Sequence, residues 1–236
     1  MITENTQKPV GIIGSMDNEI VLLKESMVIA DIETISGMDY YSGTLSGQPV
    51  VLVRCGIGKV NAAICAQVLI LRFGVGKVIN TGVAGSLNPF LSIGDIVISK
   101  DAVQHDMDVS GLGYGPGIIP DQEESFFPAD EELRRRAMAA AAAVEVQVSE
   151  GRVASGDQFI ADNVKKQQIA GTFFADCCEM EGAAVAQVCY LNHVPFVIIR
   201  AISDNADDSG QVSYSLFVEA AARNSAAIVR HILENL

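Results

Sequence analysis

Short apolar runs alternate with segments of helical spacing along almost the whole chain, and this alternation constrains the fold more than any other feature. Runs typical of buried strands lie at residues 9–15, 40–45, 49–54, 78–80, 95–99, 146–155, 175–179 and 195–202. Segments with helical periodicity lie at residues 19–27, 59–73, 131–144, 162–171, 182–191 and 212–236. Strands that alternate with helices predict an α/β fold, here a three-layer α/β/α sandwich with a mixed, mostly parallel central sheet.

We expect a single domain over residues 1–236. One hydrophobic core can organise 236 residues of which 49% are hydrophobic, and no repeat or low-complexity linker interrupts them. The runs at 40–45 and 49–54 flank Ser46-Gly47-Gln48, which is typical of a β-hairpin, so the sheet is predicted not to be purely parallel. Residues 106–128 are rich in proline and glycine, and a loop of this length is usually a functional or interface element.

Composition and charge argue against several classes of partner. The net charge is −13, there is no Trp and only 6% of residues are aromatic, so we expect neither a basic face nor a stacking surface for nucleic acid. No apolar run approaches the ~20 residues that span a bilayer, and the N-terminal residues lack the pattern of a secretory signal. We therefore predict a cytoplasmic protein without a membrane partner. Its cysteines form no CxxC pair and are expected to be reduced, buried thiols: Cys55, Cys65, Cys177, Cys178 and Cys189.

Three acidic residues from distant parts of the chain each follow a predicted strand. They are Glu19, Glu181 and Asp204. Ligands of open α/β sheets bind outside the carboxyl ends of the strands. Because no basic cluster accompanies these carboxylates, they indicate acid/base chemistry on a neutral polar substrate.

Two turns rich in small residues follow predicted strands. Gly56-Ile57-Gly58 opens the helix at 59–73 and can bind an anion through the amides of the helix N-terminus, although a simple tight turn needs the same residues. The second turn, predicted over residues 81–86, contains Ala84 and Gly85. It would let a flat ligand approach the backbone, or it would serve only to pack a helix on the sheet.

A turn at residues 155–157 precedes Phe159 and Ile160. The two side chains could form a face for a base ring, with backbone groups nearby for hydrogen bonds to the edge of the base. They could equally be ordinary core residues.

Glu179 and Glu181 flank Met180, so in strand geometry both carboxylates face the same side. There they could accept hydrogen bonds from the vicinal hydroxyls of a sugar. They could also lie at a helix N-terminus, where the helix dipole favours acidic residues.

Arg200 interrupts the most apolar run in the chain, and a buried charge needs a partner. Ser203 and Asp204 follow at the end of that run. A partly desolvated carboxylate there can have a raised pKa and act as an acid, or it can cap the segment that follows.

The sequence lacks the motifs of several common catalytic and cofactor sites. His105, Asp106 and Asp108 have the residue types of a metal site but not the spacing of known ligands, so we predict no metal. The chain has no GxGxxG, no phosphate-binding GxxxxGK[ST] and no GxSxG motif, and no cofactor is expected.

Several short motifs in a fixed order resemble one known family. From about Val10 to the C-terminal helix, the chain is similar to the 5′-methylthioadenosine/S-adenosylhomocysteine nucleosidases of the nucleoside phosphorylase superfamily. The matching segments are GIIGSMDNEI, CGIGKVNAA, INTGVAGS, GDIVIS, HDMDV, SGDQFI, EMEGAA, VPFVIIRAISD and SGQVSYSLF. The resemblance implies a nucleoside phosphorylase-like fold, a homodimer, and cofactor-free hydrolysis of the N-glycosidic bond between adenine and a 5′-thio-substituted ribose.

The resemblance also implies roles for single residues. Asp204 would protonate N7 of adenine, Glu19 would position and deprotonate the attacking water, and Glu181 would hold the ribose hydroxyls. With the residues singled out above, the predicted substrate-binding set is Met16, Ile57, Ala84, Gly85, Phe159, Ile160, Glu179, Met180, Arg200, Ser203 and Tyr214. The residues implied to close the pocket of the partner subunit are Val109, Leu112 and Pro120.

Two positions depart from the family pattern and leave the choice of substrate open. Val83 stands where a Ser is expected, and Leu112 where Phe is frequent. A phosphorylase of the same superfamily is disfavoured, because phosphate would want Arg or Lys near the first turn, which instead holds Asp17 and Glu19. The sequence is also compatible with hydrolysis of a futalosine-type nucleoside or of 5′-deoxyadenosine, and with a nucleoside-binding protein that has no activity.

Overall fold

The computed structural model describes residues 7–140, 144, 146–207 and 209–236. Within these residues the strands are β1 (Val10–Gly14), β2 (Val28–Ile35), β3 (Met38–Leu45), β4 (Gln48–Arg54), β5 (Lys77–Ser86), β6 (Ile96–Gln104), β7 (Phe126–Pro128), β8 (Val148–Ser155), β9 (Cys177–Glu179) and β10 (Phe196–Asp204). The helices are α1 (Asp17–Glu25), α2 (Lys59–Phe73), α3 (Glu131–Ala139), α4 (Asn163–Phe173), α5 (Gly182–Leu191) and α6 (Gly210–Glu234), with a short 3₁₀ helix at Ser110–Leu112.

Local sequence signals define several helix ends. The carboxylate of Asp130 accepts a hydrogen bond from the Leu133 N–H at the start of α3, and Asp162 does the same for Lys165 at the start of α4. Gly74 ends α2 in the left-handed conformation, at φ 63°, which glycine adopts without strain.

The strands form one mixed sheet in the order β10-β6-β8-β9-β5-β1-β4-β3-β2, with β7 paired to β6. β1 runs parallel to β4 and β5, β10 runs parallel to β5, and β8 runs parallel to β6 and β9. The remaining pairings are antiparallel and include the predicted hairpin of β3 and β4. Because β5 pairs with β1, β9 and β10, it is the strand around which the sheet branches.

Helices cover both faces of the sheet, as the predicted three-layer α/β/α fold requires. α2 and α5 bury Leu69 and Val185 in a cluster on one face. α1, α3 and α6 bury Leu23, Leu133 and Ile228 in a second cluster on the other face. Burying an aliphatic side chain of this size contributes roughly 1.5–3 kcal/mol, so the two clusters are the main source of stability.

The structure corrects the predicted turn over residues 81–86. β5 continues through Ser86, and Gly82 and Gly85 pair with residues of β10. Ala84 and Gly85 therefore belong to a strand. The small residues that suggested a turn are explained by the close approach of side chains from other elements.

Other differences lie at the ends and edges of elements. β2 was not predicted, because its side chains are mostly exposed at the edge of the sheet and lack an apolar alternation. β6 extends to Gln104, whereas the prediction ended the strand at residue 99. α3 ends at Ala139, and the predicted continuation over residues 141–143 lies outside the described residues.

Within the described part of the chain, none of the helices combines the length and the apolar character that crossing a bilayer requires.

Candidate active site

A cleft of about 390 Å³ lies where β5, β9 and β10 end, beside the first turns of α1 and α6. It brings together residues that are far apart in sequence, as expected for the carboxyl edge of an α/β sheet. The predicted site residues that line it are Met16, Glu19, Ile57, Ala84, Gly85, Phe159, Glu179, Met180, Glu181, Ser203, Asp204 and Tyr214.

Glu19 lies on the first turn of α1, three residues beyond the N-cap Met16, and not directly at the end of a strand. One carboxylate oxygen accepts hydrogen bonds from the Ser15 N–H at 2.6 Å, the Ser15 hydroxyl at 2.8 Å and the Met16 N–H at 3.0 Å. The other oxygen accepts the Val83 N–H at 3.0 Å. Glu19 is only 4% exposed. Its buried carboxylate is held in a single orientation by these four donors.

Asp204 is the last residue of β10 and is 2% exposed. Its carboxylate accepts hydrogen bonds from the Ser203 hydroxyl at 2.9 Å and from the Ala206 N–H at 2.8 Å. Burial raises the pKa of Asp204, although these two donors oppose the rise. A raised pKa favours the protonated form, which is the form that a general acid needs.

Glu181 is the N-cap residue of α5, two positions after β9 ends. Its carboxylate accepts a 2.7 Å hydrogen bond from the N–H of Gly58, which is itself the N-cap residue of α2. Burial, together with the charge of nearby Glu179, raises the pKa of Glu181 to about 8, while the hydrogen bond from Gly58 opposes the rise. The Gly56-Ile57-Gly58 turn thus positions a carboxylate from another part of the chain.

Glu179 differs from Glu181, because its carboxylate is fully engaged with the protein. It accepts hydrogen bonds from the Gly182 N–H at 2.8 Å, from the Ser155 hydroxyl and from the guanidinium of Arg200 at 2.5 Å. Arg200 is 2% exposed and does not line the cleft, and a second bond of 2.6 Å ties it to the side chain of Asn80. Arg200 thereby has the partner that a buried charge requires.

Two glycines of β5 make room for two of the carboxylates. A Cβ atom on Gly82 would lie 2.5 Å from an oxygen of Glu19, and one on Gly85 would lie 2.8 Å from an oxygen of Asp204. Real Cβ atoms do not approach other atoms this closely. The small residues of β5 are therefore required for the carboxylates to reach the cleft from either side.

The remaining wall of the cleft is largely apolar. The ring of Phe159 meets the ring of Tyr214 edge-on, with centroids 5.7 Å apart. The Tyr214 hydroxyl lies 3.0 Å from the sulfur of Met16. Ile160, 5% exposed, lies behind Phe159 and lines a smaller adjoining cavity.

The three residues predicted to close the pocket of the partner subunit do not line the cleft of their own chain. Val109 and Leu112 lie at the short 3₁₀ helix, and Pro120 lies further along the same segment. Leu112 is 76% exposed.

Ser15, Val83 and Cys178 line the cleft but were not in the predicted set. Ser15 directly follows β1 and precedes Met16, and this adjacency was an available signal. Val83 contributes its N–H to Glu19, a backbone role that no side-chain pattern reveals. Cys178 was identified only as a buried thiol, because its place opposite Gly85 in the sheet depends on strand pairing.

The carboxylate of Asp106 is engaged in internal contacts. Asp106 pairs with Lys59 at 2.6 Å and accepts the N–H of Asp157 at 2.9 Å. Over the ranges that the structure describes, no group of three or more His, Cys, Asp or Glu side chains could hold a metal ion.

Comparisons with known proteins agree with this architecture. A family model described as "Phosphorylase superfamily" matches residues 9–234. A 5′-methylthioadenosine/S-adenosylhomocysteine nucleosidase from Shewanella putrefaciens is 42% identical over 228 residues, which cover 96% of this chain and 99% of the relative.

Two solved structures are similar over almost their whole length. A 5′-methylthioadenosine/S-adenosylhomocysteine nucleosidase from Neisseria meningitidis, in complex with methylthio-immucillin-A, has a TM-score of 0.94 at 40% identity and covers 97% of this chain and 100% of its own. The futalosine hydrolase of Helicobacter pylori has a TM-score of 0.93 at 34% identity, with 98% and 99% covered. On the full-length match and the identity to the curated relative, this chain belongs to the 5′-methylthioadenosine/S-adenosylhomocysteine nucleosidase family of the phosphorylase superfamily.

Proposed function

We propose that the protein hydrolyses the N-glycosidic bond of 5′-methylthioadenosine and S-adenosylhomocysteine, releasing adenine and the 5′-substituted ribose. The observation that carries the proposal is the convergence of three buried carboxylates, Glu19, Glu181 and Asp204, on one otherwise largely apolar cleft. Such a cleft suits a neutral nucleoside with a thioether tail. The names of the relatives support the same substrates.

In the proposed reaction, water forms a bond to C1′ of the ribose while the bond from C1′ to N9 of adenine breaks. The electron pair of the broken bond goes to adenine, and Asp204 transfers its proton to N7 so that adenine leaves as a neutral molecule. The burial that raises the pKa of Asp204 supports this role, because the carboxyl must carry a proton before the bond breaks.

Glu19 is the proposed base for water. Its carboxylate is held in one orientation by hydrogen bonds from Ser15, Met16 and Val83, so it can position a water molecule at the cleft. Glu181, held by Gly58, is proposed to bind the ribose hydroxyls as the bond to adenine breaks.

The composition of the cleft supports water over phosphate as the nucleophile. Among the described residues that line it, there is no Arg or Lys. Arg200 lies behind the wall, with its guanidinium committed to Glu179 and Asn80. A phosphate anion would face several carboxylates without a free cation, which is unfavourable in a partly desolvated site.

A futalosine-type nucleoside is the second candidate substrate. The 34% identical structural neighbour from Helicobacter pylori is named a futalosine hydrolase, and it covers as much of this chain as the nucleosidase does. The same carboxylates would cleave the bond in either substrate, because the difference lies in the 5′ substituent.

The decisive experiment incubates the purified protein with 5′-methylthioadenosine, with and without phosphate, and separates the products by chromatography. We expect adenine and free methylthioribose at a rate that phosphate does not change. Ribose 1-phosphate derivatives that accumulate with phosphate would instead establish phosphorolysis. If no adenine appears, the measurement is repeated with S-adenosylhomocysteine, 5′-deoxyadenosine and aminofutalosine, and inactivity on all four would reject the proposal.

We further propose that the protein is a homodimer in which Val109, Leu112 and Pro120 help to close the pocket of the partner subunit. These residues do not line the cleft of their own chain. Val60 of α2 is 69% exposed and Leu112 is 76% exposed. The Lys59–Asp106 ion pair joins α2 to the start of the segment 106–128, which contains Leu112. Apolar side chains exposed on adjoining elements are typical of a protein interface.

A further inference from the structure

Tyr214 places a hydroxyl inside a cleft whose other hydroxyl groups are already paired with carboxylates. It lies on the first turns of α6, lines the cleft and is half-buried. Its ring is fixed by the edge-on contact with Phe159. The hydroxyl is 3.0 Å from the sulfur of Met16, and a thioether sulfur is a weak hydrogen-bond acceptor.

The serine hydroxyls of the cleft each donate to a carboxylate. Ser15 donates to Glu19 at 2.8 Å, and Ser203 donates to Asp204 at 2.9 Å. Among the described residues that line the cleft, Tyr214 is the side-chain donor whose hydrogen bond goes to sulfur rather than to a carboxylate oxygen. A ligand oxygen can replace the sulfur at small cost, whereas replacing a carboxylate would leave a buried charge with one donor fewer.

The hydroxyl keeps its proton at neutral pH. Burial raises the pKa of Tyr214, and the negative charges of Glu19, Asp204 and Glu181 raise it further. The carboxylates of the cleft only accept hydrogen bonds when they are ionised. The Tyr214 hydroxyl, by contrast, remains a donor over the whole pH range in which the enzyme would be assayed.

The position of the hydroxyl indicates which part of the substrate it would meet. Met16, its partner, donates its N–H to Glu19, so the hydroxyl lies on the Glu19 side of the cleft. In the proposed reaction Asp204 faces the base and Glu19 faces the sugar. Tyr214 is half-buried, whereas Glu19, Glu181 and Asp204 are buried, so Tyr214 is nearer to solvent than the reacting carboxylates and can meet a substituent on C5′ that extends out of the cleft.

We propose that Tyr214 is a specificity-determining residue whose hydroxyl donates a hydrogen bond to an oxygen acceptor on the 5′ substituent. This inference rests on the proposed function. It predicts that the protein favours 5′ tails that carry such an acceptor, as the homocysteine carboxylate of S-adenosylhomocysteine does, over the 5′-methylthio group, which offers only sulfur. The net gain comes from exchanging a weak sulfur acceptor for a charged oxygen.

The test compares wild type with Tyr214→Phe, which keeps the ring and removes the hydroxyl, by measuring kcat/KM for S-adenosylhomocysteine and for 5′-methylthioadenosine. We expect kcat/KM for S-adenosylhomocysteine to fall about 10-fold, equivalent to about 1.4 kcal/mol, and kcat/KM for 5′-methylthioadenosine to change less than about 2-fold. The ratio of the two values cancels any loss that altered ring packing causes in both.

Tyr41→Phe is the matched control, because Tyr41 lies on β3 beside Lys24 and away from the cleft. It should leave both values unchanged. Equal losses for the two substrates in Tyr214→Phe would overturn the inference and assign the hydroxyl to the ribose or to packing, and unchanged values would overturn it as well. A wild-type protein that cleaves neither substrate would refute the proposed function itself, which is a different result.

Discussion

At the scale of single residues, the three carboxylates of the cleft are distinguished by the donors that surround them. Glu19 accepts hydrogen bonds from Ser15, Met16 and Val83, whereas Glu181 is held by the N–H of Gly58. Donors favour the ionised form of a carboxylate, and burial opposes it. For Asp204 and Glu181 burial outweighs the donors and the pKa is raised, which distinguishes the proposed acid and the proposed sugar ligand from an ordinary exposed carboxylate.

Replacing Asp204 by Asn should lower kcat by at least ~10², since general acid catalysis typically contributes 10²–10⁴. In the wild type, kcat should fall as the pH rises through the raised pKa of Asp204, because the acid loses its proton, and the variant should lack this fall. Steady-state rates of adenine release across pH measure both effects. Asp31→Asn, at an exposed position on β2, is the control, and an unchanged rate in Asp204→Asn would remove Asp204 from the mechanism.

The raised pKa of Glu181 should also appear in the stability of the protein. Its folded-state pKa of about 8 lies above the ordinary value of 4.5, so between these pH values the folded state binds more protons than the unfolded state. The free energy of unfolding should therefore decrease as the pH rises from about 4.5 to 8, and the stabilisation is complete below that window.

Glu181→Gln removes this titration while it keeps the shape of the side chain. Its free energy of unfolding should decrease less steeply with pH over the same window, by up to about 1.4 kcal/mol per pH unit. Urea denaturation at a series of pH values measures the slope, with Glu25→Gln at an exposed position as control. Parallel curves for wild type and Glu181→Gln would show that the pKa of Glu181 is not raised.

At the scale of elements, β5 joins the site to the sheet. It pairs with β1, β9 and β10, and its backbone passes between Glu19 and Asp204. The glycine content of β5 follows from these approaches. A strand with larger side chains would keep the pairing but would push the carboxylates out of the cleft.

Gly82→Ala should therefore disturb the site strongly, although the substitution adds only one methyl group. The added Cβ would lie 2.5 Å from the Glu19 carboxylate, and we expect kcat/KM to fall at least ~10-fold and stability to fall by about 1–3 kcal/mol as the neighbourhood shifts. Gly171→Ala in α4 is the matched control, since its Cβ would meet nothing within 4 Å. It should raise stability by about 0.5–1 kcal/mol and leave kcat/KM unchanged, because Ala favours a helix over Gly. Wild-type activity in Gly82→Ala would contradict the packing argument.

At the scale of the whole molecule, two features of the chain are explained together by the proposed second subunit. Apolar side chains of α2 and of residues 106–128 are exposed, and Leu112 does not line the cleft of its own chain. A monomer would leave these side chains in water and the mouth of the cleft more open.

Leu112→Asp should weaken the proposed dimer, because it places a charge in an apolar contact, and should raise KM, because the neighbouring cleft loses part of its wall. Light scattering coupled to gel filtration measures the mass, and steady-state kinetics measures KM. Val28→Asp, at a 72% exposed position on the edge strand β2, should leave the mass unchanged. A wild-type protein that is monomeric at all concentrations would rule out the shared pocket.

The α/β class, the hairpin and the full extents of α2 and α5 were predictable from the sequence, because hydrophobic periodicity and turn signals act over a few neighbouring residues. The ordered motifs also led to the family. Three features required the folded chain: residues 81–86 continue a strand, Arg200 pairs with Glu179, and Val83 donates its N–H to Glu19. These features depend on strand pairing between segments that are remote in the chain, and the same local pattern of small or charged residues is compatible with a turn, a ligand site or an internal contact until that pairing is known.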